Sequence, residues 1–290
     1  MSTINEIKEE IIVVKSVGDF ANALQQIATA RMVKLREKVL TSRPFVEEAL
    51  AMLRELNTIR SKMQAADLVL LEKKKKETQA AVAKVTGRKA VIVITSNQGL
   101  TGRYNIEVYQ KLEKLVAEQP DSEYFVIGKK GQEVFLNGKY KVTYYPYEVG
   151  ENFTIEDLRR LIALFNYYDE ITLLYSRYVN SAKRDVVATS IVAPELPEDE
   201  ASKTQPGKYV FEPDIFVLID SVGNKLRAAL FQQQIFDSRL SQYAAQMIGM
   251  KTAADNAVEL LADLRLEYNK SRRKMIDKKI SEVFAGSALW

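Results

Sequence analysis

The sequence predicts an α/β protein in which a largely parallel, doubly wound α/β domain is inserted between two long helices that pair as an antiparallel coiled coil. Both ends of the chain place apolar residues at alternating intervals of three and four, which is the heptad pattern of helices that share one narrow line of contact. The middle of the chain alternates strand-like and helix-like segments, as parallel sheets do. No proline follows Pro213 in the 290-residue chain, so nothing of that kind interrupts the last helix.

The first helix is predicted from a line of apolar residues that begins at Ile4. Only Gln25 is polar in this line, and Gly18 is its weakest member. Pro44 would disturb the helix, but the pattern resumes at Val46 and continues to Leu56, so we expect a kink rather than an end. The heptad line consists of Ile4, Ile7, Ile11, Val14, Gly18, Ala21, Gln25, Ala28, Met32, Leu35 and Val39.

The middle segment carries the pattern of a sheet covered by helices. Its strand-like stretches are short and rich in β-branched and aromatic residues, and two stretches of helical spacing separate them. The predicted strands are 90–96, 123–129, 140–147, 171–179 and 185–193, and the predicted helices are 104–118 and 153–168. A charged stretch, 61–89, and a stretch with three prolines, 194–210, are predicted to connect this domain, 90–193, to the terminal helices.

The last helix is predicted to be a rod of roughly 70 residues, or on the order of 100 Å. A rod of this length must project from its own domain. Small residues in both heptad lines allow the two helices to approach closely. The coiled coil is predicted to combine residues 1–60 with residues 211–290. The heptad line of the last helix consists of Ile215, Ile219, Val222, Leu226, Ala229, Gln233, Phe236, Leu240, Tyr243, Met247, Met250, Ala254, Ala257, Leu261, Leu264 and Tyr268.

The composition excludes most catalytic chemistry. The chain has no cysteine and no histidine, which removes disulfides, thiol nucleophiles, Cys/His zinc sites and imidazole acid–base catalysis. We assign no catalytic residue, cofactor or metal. The acidic, amphipathic start resembles neither a signal peptide nor a transit peptide, and no apolar run approaches the length of about 20 residues that a membrane span requires. We therefore expect a cytosolic protein whose membrane association is indirect.

The loop between the first predicted strand and its helix lies where phosphate-binding glycine loops occur. Its glycines, Gly99 and Gly102, are only three residues apart, and no Walker lysine follows. We expect a tight turn in which the glycines supply positive φ. We also expect the edge of this turn to face a partner protein through Gln98, Gly99, Gly102 and Arg103. A free-standing nucleotide-binding α/β module with a coiled-coil arm is the alternative that this loop keeps open.

Two basic clusters raise the question of nucleic acid. The lysines 73–76 have no interleaved aromatic residues, which favours a solvated face over strand binding. The cluster at 270–279 lies beside the apolar end VFAGSALW, and a basic, apolar rod tip suits insertion into a protein cavity. Nucleic-acid binding therefore ranks last. Four acidic residues outside the heptad line are interpreted as solvated or as partner contacts: Asp220, Asp237, Asp255 and Asp263.

Four segments resemble the gamma subunit of the F-type ATP synthase, and the resemblance spans essentially the whole chain. ITSNQGLTGRYN (94–105) is similar to the family's Ile-Thr-Ser-Asp-(Arg/Lys)-Gly-Leu-Cys-Gly segment, with amides at Asn97 and Gln98 among its departures. SRPFVEEAL (42–50) and YVFEPD (209–214) match further family segments. The most specific match is 247–290, which follows the family's Met-x-Ala-Met-Lys-x-Ala-x-x-Asn-Ala and Leu-x-Tyr-Asn signatures at the same spacing.

This resemblance implies a non-catalytic central shaft. Its coiled-coil tip would enter the ring of alpha and beta subunits, and its Rossmann-like domain would stand on the membrane c-ring beside the epsilon subunit. Rotation would couple proton or sodium flow to ATP synthesis or hydrolysis, on the cytoplasmic side of a bacterial membrane. No nucleic-acid partner is implied. Partner contacts carried over are Leu24 and Ile27 on the N-terminal helix, and Met247, Met250, Lys251, Asn256, Tyr268, Asn269, Arg272, Arg273, Asp277, Lys279 and Glu282.

The chain also departs from the family pattern at the tip and along the helices. Arg273 stands where the family has a glutamine, and Lys279 stands where it has an acid. Gln242 and Gln246 replace a frequent glutamate and arginine. These changes imply a divergent form whose partner subunits changed with it.

Overall fold

The computed structural model describes residues 3–62, 88–147, 170–190 and 215–287, together with the single residues 160, 163 and 168. Within these residues, two long helices come before and after a five-stranded sheet and two shorter helices in the sequence, so the predicted fold class is confirmed. The elements in chain order are α1 (Ile4–Lys62), β1 (Lys89–Ile94), α2 (Tyr104–Glu118), β2 (Glu123–Ile127), α3 (Lys129–Leu136), β3 (Tyr144–Tyr147), β4 (Glu170–Tyr178), β5 (Arg184–Ser190) and α4 (Ile215–Ser287).

Helices α1 and α4 pack antiparallel along their heptad lines. Val46 and Leu53 on α1 form a cluster with Leu226 near the start of α4, whereas Met32 packs with Leu240 further along it. Every residue of both predicted lines is buried or half-buried, because each faces the partner helix. Helix α1 runs through Pro44 without ending, as the resumed pattern predicts.

The two helices approach each other closely at a small residue. Gly18 of α1 is buried, and a Cβ atom added to it would lie 3.1 Å from the Cβ atom of Ala257 on α4. This distance is shorter than ordinary contact between methyl groups, so the glycine is what allows the backbones to come together here. The expected close approach of small residues in the two lines is confirmed at this position.

The sheet has the order β3-β2-β1-β4-β5, in which only β5 is antiparallel to its neighbour. The central strand β1 is buried along nearly its whole length because helices cover both faces of the sheet. Helix α2 covers one face with Val108 and Leu112, which pack on Val91 and Val93. Helix α4 covers the other face, so the coiled coil also serves as one layer of the α/β domain.

Several details of the middle segment differ from the prediction. Helix α3 was not predicted, because KKGQEVFL follows β2 so directly that its start read as part of the strand. Strand β3 begins only at Tyr144, four residues later than predicted. The predicted helix 153–168 and the connecting segments 61–89 and 194–210 lie almost entirely outside the described residues, so they stay predictions. No helix in the described part of the chain has a stretch long and apolar enough to cross a membrane.

Candidate functional site: the long helices and their junction with the sheet

The α/β domain is fixed to α4 through a second face of that helix. Phe231 and Ile235 are buried on the sheet, outside the heptad line that packs on α1. Two hydroxyl pairs add directional contacts: the hydroxyl oxygens of Tyr104 and Ser238 lie 2.7 Å apart, and Ser176 Oγ lies 2.6 Å from Ser241 Oγ. All four hydroxyl-bearing side chains are completely buried, so these hydrogen bonds are shielded from water.

Tyr104 is the central residue of this junction, at the first position of α2. Its hydroxyl contacts Ser238 on α4 and also approaches the carbonyl oxygen of Ile94, at 3.4 Å. Burial raises the pKa of Tyr104 to about 12, although the hydrogen bond with Ser238 opposes the shift. The phenol therefore stays protonated throughout the physiological range and can always take part in the pair.

The loop between β1 and α2 packs against α4 of the same chain. Gly102 has a φ of 56°, and a Cβ atom there would lie 3.0 Å from the carbonyl oxygen of Ala245. The expectation that both glycines supply positive φ is wrong in one part: the second such residue is Leu100, with a φ of 61°, not Gly99. Leu100 lies at the exposed tip of the turn, and its conformation carries the local cost of about 1–2 kcal/mol that a Cβ atom brings in the left-handed region.

This packing places α4 against the turn on which a nucleotide would rest. In dinucleotide-binding folds the pyrophosphate rests on the glycine turn and the N-terminus of the following helix. Here α4 lies against Gly102, and the turn satisfies its own polar groups, since the Ser96 amide donates to Asn105 Oδ1 at 3.1 Å. The geometry therefore disfavours the free-standing nucleotide-binding module.

A network of two charged side chains and one tyrosine lies at the opposite, amino-terminal end of the sheet. The Arg88 guanidinium donates to the Glu123 carboxylate and lies over the Tyr168 ring, 5.0 Å from its centre. The Tyr168 hydroxyl donates to the other oxygen of Glu123 at 2.8 Å. Desolvation raises the pKa of Glu123, but the hydrogen bonds from Arg88 and Tyr168 outweigh it, and the net shift is downward.

Helix α4 continues beyond the end of its partner. Ile7 near the start of α1 and Leu264 on α4 are buried at this end of the coiled coil, and Ser271 is half-buried. From residue 272 to 285 every side chain is exposed, as expected once the partner helix has ended. Roughly 24 Å of helix projects beyond Ser271, at about 1.5 Å per residue.

The projecting end is basic on its surface and apolar along one side. Residues 270–285 contain six basic and two acidic residues, an excess of four that equals the net charge of the whole chain, +4. Ile276, Ile280, Val283 and Phe284 recur at helical spacing and are all exposed, Phe284 to 70%. Large apolar side chains placed together on an exposed face mark a surface that another protein covers.

The carried-over contact residues lie on several faces of the long helices and the loop. Leu24, Met247, Met250 and Tyr268 are half-buried along the coiled coil. The other residues are exposed: Gln98, Gly99, Gly102 and Arg103 in the loop, Ile27 on α1, and Lys251, Asn256, Asn269, Arg272, Arg273, Asp277, Lys279 and Glu282 on α4.

Interpreting the acidic residues of α4 as solvated is wrong for one of them. Asp237 is buried, with 5% of its surface exposed, and its charge helps to raise the pKa of Tyr175 on β4, for which burial is the main cause. Asp255 and Asp263 are exposed, as expected, and the side chain of Asp220 lies outside the described set. Asp237 is buried because the sheet covers this part of α4, which the heptad pattern does not reveal.

Sequence reasoning missed the residues of the junction. Tyr104, Ser176, Ser238 and Ser241 were not candidates, because isolated hydroxyls carry no recognisable motif. A usable signal was present in the apolar residues outside the heptad line, since Phe231, Ile235 and Ala245 share a second face of α4. A helix with two apolar faces is covered from two sides.

The geometry defines a class of protein: an extended scaffold in which a two-helix coiled coil carries an α/β domain docked against the middle of its paired length, and a single helix projects beyond the coiled coil. A family model described as ATP synthase matches residues 3–289. The ATP synthase gamma chain of Psychrobacter sp. (strain PRwf-1) is 30% identical over 305 residues, covering 99% of both chains. That of Halothermothrix orenii is 26% identical over 303 residues, again covering 99% of both chains.

The chain belongs to the family of ATP synthase gamma chains. Solved structures share its fold. The rotor of Euglena gracilis mitochondrial ATP synthase contains a chain with a TM-score of 0.65 at 16% identity, over 94% of this chain and 98% of that one. A chain of the Tetrahymena thermophila central stalk and c-ring gives 0.57, over 81% and 99%. The family resemblance seen in the sequence is therefore confirmed. The names of these relatives describe one chain of a larger enzyme, the ATP synthase, rather than a free-standing catalyst.

Proposed function

We propose that this chain is the central shaft of an F-type ATP synthase and transmits rotation between a membrane c-ring and a catalytic head of alpha and beta subunits. The observation that carries the proposal is the projection of α4 beyond α1, because a single basic and apolar helix end fits a cavity in a surrounding protein ring. The chain is not catalytic alone. Its part is to couple proton or sodium flow to the synthesis or hydrolysis of ATP.

The described contacts suit a part that carries torque. The two helices bury a continuous heptad line, and Gly18 lets the backbones meet, so bending one helix strains the other. The α/β domain is tied to α4 by two buried hydroxyl pairs in addition to apolar packing. Force applied to the domain therefore reaches the coiled coil without passing through a flexible connection.

We propose that separate parts of the molecule contact separate partners. The head would contact the projecting end and the adjacent coiled coil through the carried-over residues on α1 and α4, and the loop at Gln98 and Arg103 would face a partner subunit. The α/β domain, 90–193, would stand on the c-ring beside the epsilon subunit, and 1–60 with 211–290 would form the shaft. Since the relatives are bacterial chains, we place the complex on the cytoplasmic side of a cell membrane, with indirect membrane association and no nucleic-acid partner.

Co-purification and cross-linking test this proposal. A tagged chain should recover alpha-type and beta-type subunits in excess over itself. Because the natural sequence contains no cysteine, Ser281→Cys introduces the only thiol, at the exposed projecting end. A cross-link from that position to a head subunit should stop ATP turnover, and reduction should restore it. Lys225→Cys, exposed at the other end of α4, is the matched control and should leave turnover unchanged. Recovery as a lone monomer would contradict the proposal.

The departures at the tip provide a second test. Arg273→Gln with Lys279→Glu restores the residues that the family commonly has, at two exposed positions where no fold change is expected. If the head subunits of this complex have changed together with the tip, the double variant should lower coupled ATP turnover. Unchanged turnover in the assembled complex would show that the two substitutions are neutral.

A further inference from the structure

Helix α4 carries two adjoining segments of opposite charge near its exposed end. Residues 255–267 contain four acidic residues and one basic residue, Arg265, which gives a net charge of −3. Residues 270–279 contain six basic residues and one acidic residue, Asp277, which gives a net charge of +5. All of these charged side chains are exposed. Insertion of the basic end into a head would leave the acidic segment without a role.

Most of these charges form one row along the helix, with its two signs separated. Residues four apart are neighbours on a helix surface, where opposite charges stabilise the helix and like charges destabilise it. In this row each residue has a like charge four positions away, so both halves of the row repel themselves. A surface of opposite charge would relieve that repulsion. The row consists of Asp255, Glu259, Asp263, Glu267, Lys270, Lys274 and Lys278.

The row lies on the side of α4 that α1 does not cover. Ala257 and Leu264 are buried in the coiled coil, whereas Glu259 and Asp263 are exposed and point away from α1. Beyond Ser271 the helix is exposed on all sides up to residue 285. A second helix would therefore lie along the row without displacing α1.

We propose that this part of α4 binds the same part of a second copy of the chain, in an antiparallel dimer with two-fold symmetry. The pattern matches itself when one copy is reversed, because its acidic and basic halves have the same spacing. A two-fold axis between Tyr268 and Asn269 places three acidic side chains of each copy opposite three lysines of the other. The pairs are Glu259 with Lys278, Asp263 with Lys274 and Glu267 with Lys270.

The charges also limit the length of the overlap. The paired region from Glu259 to Lys278 is about 28 Å long, at about 1.5 Å per residue. Beyond it Asp255 would face Glu282, which lies 3.8 Å from Lys278 of its own helix. The dimer would cover the basic end of the unassembled chain until another protein replaces the second copy. This inference does not rest on the proposed shaft function.

Sedimentation-velocity ultracentrifugation of the full chain at micromolar concentrations tests the dimer. At an ionic strength of about 0.1 M the screening length is about 10 Å, and the natural chain should show a concentration-dependent dimer. At about 1 M the screening length falls to about 3 Å, so the same sample should be monomeric. A natural chain that sediments as a monomer at both ionic strengths would overturn the proposal.

Charge reversal distinguishes this interface from other surfaces. Glu259→Lys with Asp263→Lys makes most of the row basic, and Lys274→Glu with Lys278→Glu makes most of it acidic. Either double variant alone should dimerise about tenfold more weakly or worse, because four of the six exposed ion pairs become repulsive. An equimolar mixture of the two variants should dimerise again, because each reversed residue then meets an opposite charge on the other chain.

Lys34→Glu with Lys38→Glu is the matched control. It reverses two exposed lysines four residues apart on α1, outside the row, and gives the same net charge as the acidic variant. It should dimerise like the natural chain, and circular dichroism should be the same for all variants. The proposal is overturned if the control weakens the dimer equally or if mixing fails to restore it. Reversed variants that dimerise as tightly as the control would also overturn it, and would assign the dimer to another surface, such as exposed Val17 and Phe20 on α1.

Discussion

The substitution Tyr104→Phe isolates one contact that joins the α/β domain to the long helix. It removes only the hydroxyl whose oxygen lies 2.7 Å from Ser238 Oγ, at a site where both side chains are completely buried. The Ser238 hydroxyl then loses its partner without gaining access to water. Leaving a buried polar group in this state costs about 1–3 kcal/mol. For a chain of this size, each kcal/mol lowers the melting temperature by roughly 2–4 °C.

A double-mutant cycle followed by thermal unfolding measures the contact. Ser238→Ala should also destabilise the protein, because the Tyr104 hydroxyl keeps only its longer contact with the Ile94 carbonyl. The double variant should cost less than the sum of the two single variants, since no polar group is orphaned once both partners are gone. Tyr178→Phe, which removes a weak exposed contact of 3.4 Å, is the control and should change little. Additive costs, or a Tyr104→Phe variant as stable as the control, would refute this account of the junction.

Three further predictions concern the coiled coil and the sheet. Gln233→Leu should raise the melting temperature, because the side-chain Oε1 atom of Gln233 is buried without a hydrogen-bond partner within the described structure. An unchanged or lower melting temperature would contradict this prediction. Gly18→Leu should destabilise the protein, because the larger side chain forces the helices apart at Ala257. Gly223→Ala should stabilise it by about 1 kcal/mol, because a Cβ atom meets nothing within 4 Å there and alanine favours helix. Equal effects of the two variants on the free energy of unfolding in urea would refute the packing argument. The pKa of Glu123 is lowered in the folded state, so its contribution to stability is present above the carboxyl's unfolded pKa and is lost as pH falls through the folded one. Glu123→Gln should therefore reduce stability at pH 7 and converge with the natural chain in acid, and a constant difference across this range would contradict the network.

The heptad lines were predictable residue by residue because they are a local property. A helix repeats every 3.6 residues whatever surrounds it, so the positions from Ile4 to Val39 and from Ile215 to Tyr268 had to lie on one face each. The partner was predictable as well, since two complementary lines in one chain can cover each other. The strands β1, β2 and β4 were visible for the same reason, as short β-branched runs of the kind that form buried strands.

The residues that the second face of α4 contacts were not predictable, because they lie far away in the sequence. Tyr104 and Ser238 are 134 positions apart, and neither has a pattern that points to the other. For the same reason Asp237 was expected to be solvated but is buried by the sheet. The loop at Gly102 was correctly predicted to be a turn, yet only the structure shows that α4 packs against it.

Two paired helices, a doubly wound sheet between them and the family relationship of the C-terminal segment could all be predicted from the amino-acid sequence. These follow from periodicity and motif, which require only near neighbours along the chain. Tertiary packing sets how the sheet is attached to the long helix, through Tyr104 and Ser238, and which acidic residue is buried. Such features arise when segments that are distant in the sequence bury a shared surface. The free energy gained by that burial depends on both segments, so neither segment's sequence predicts it alone.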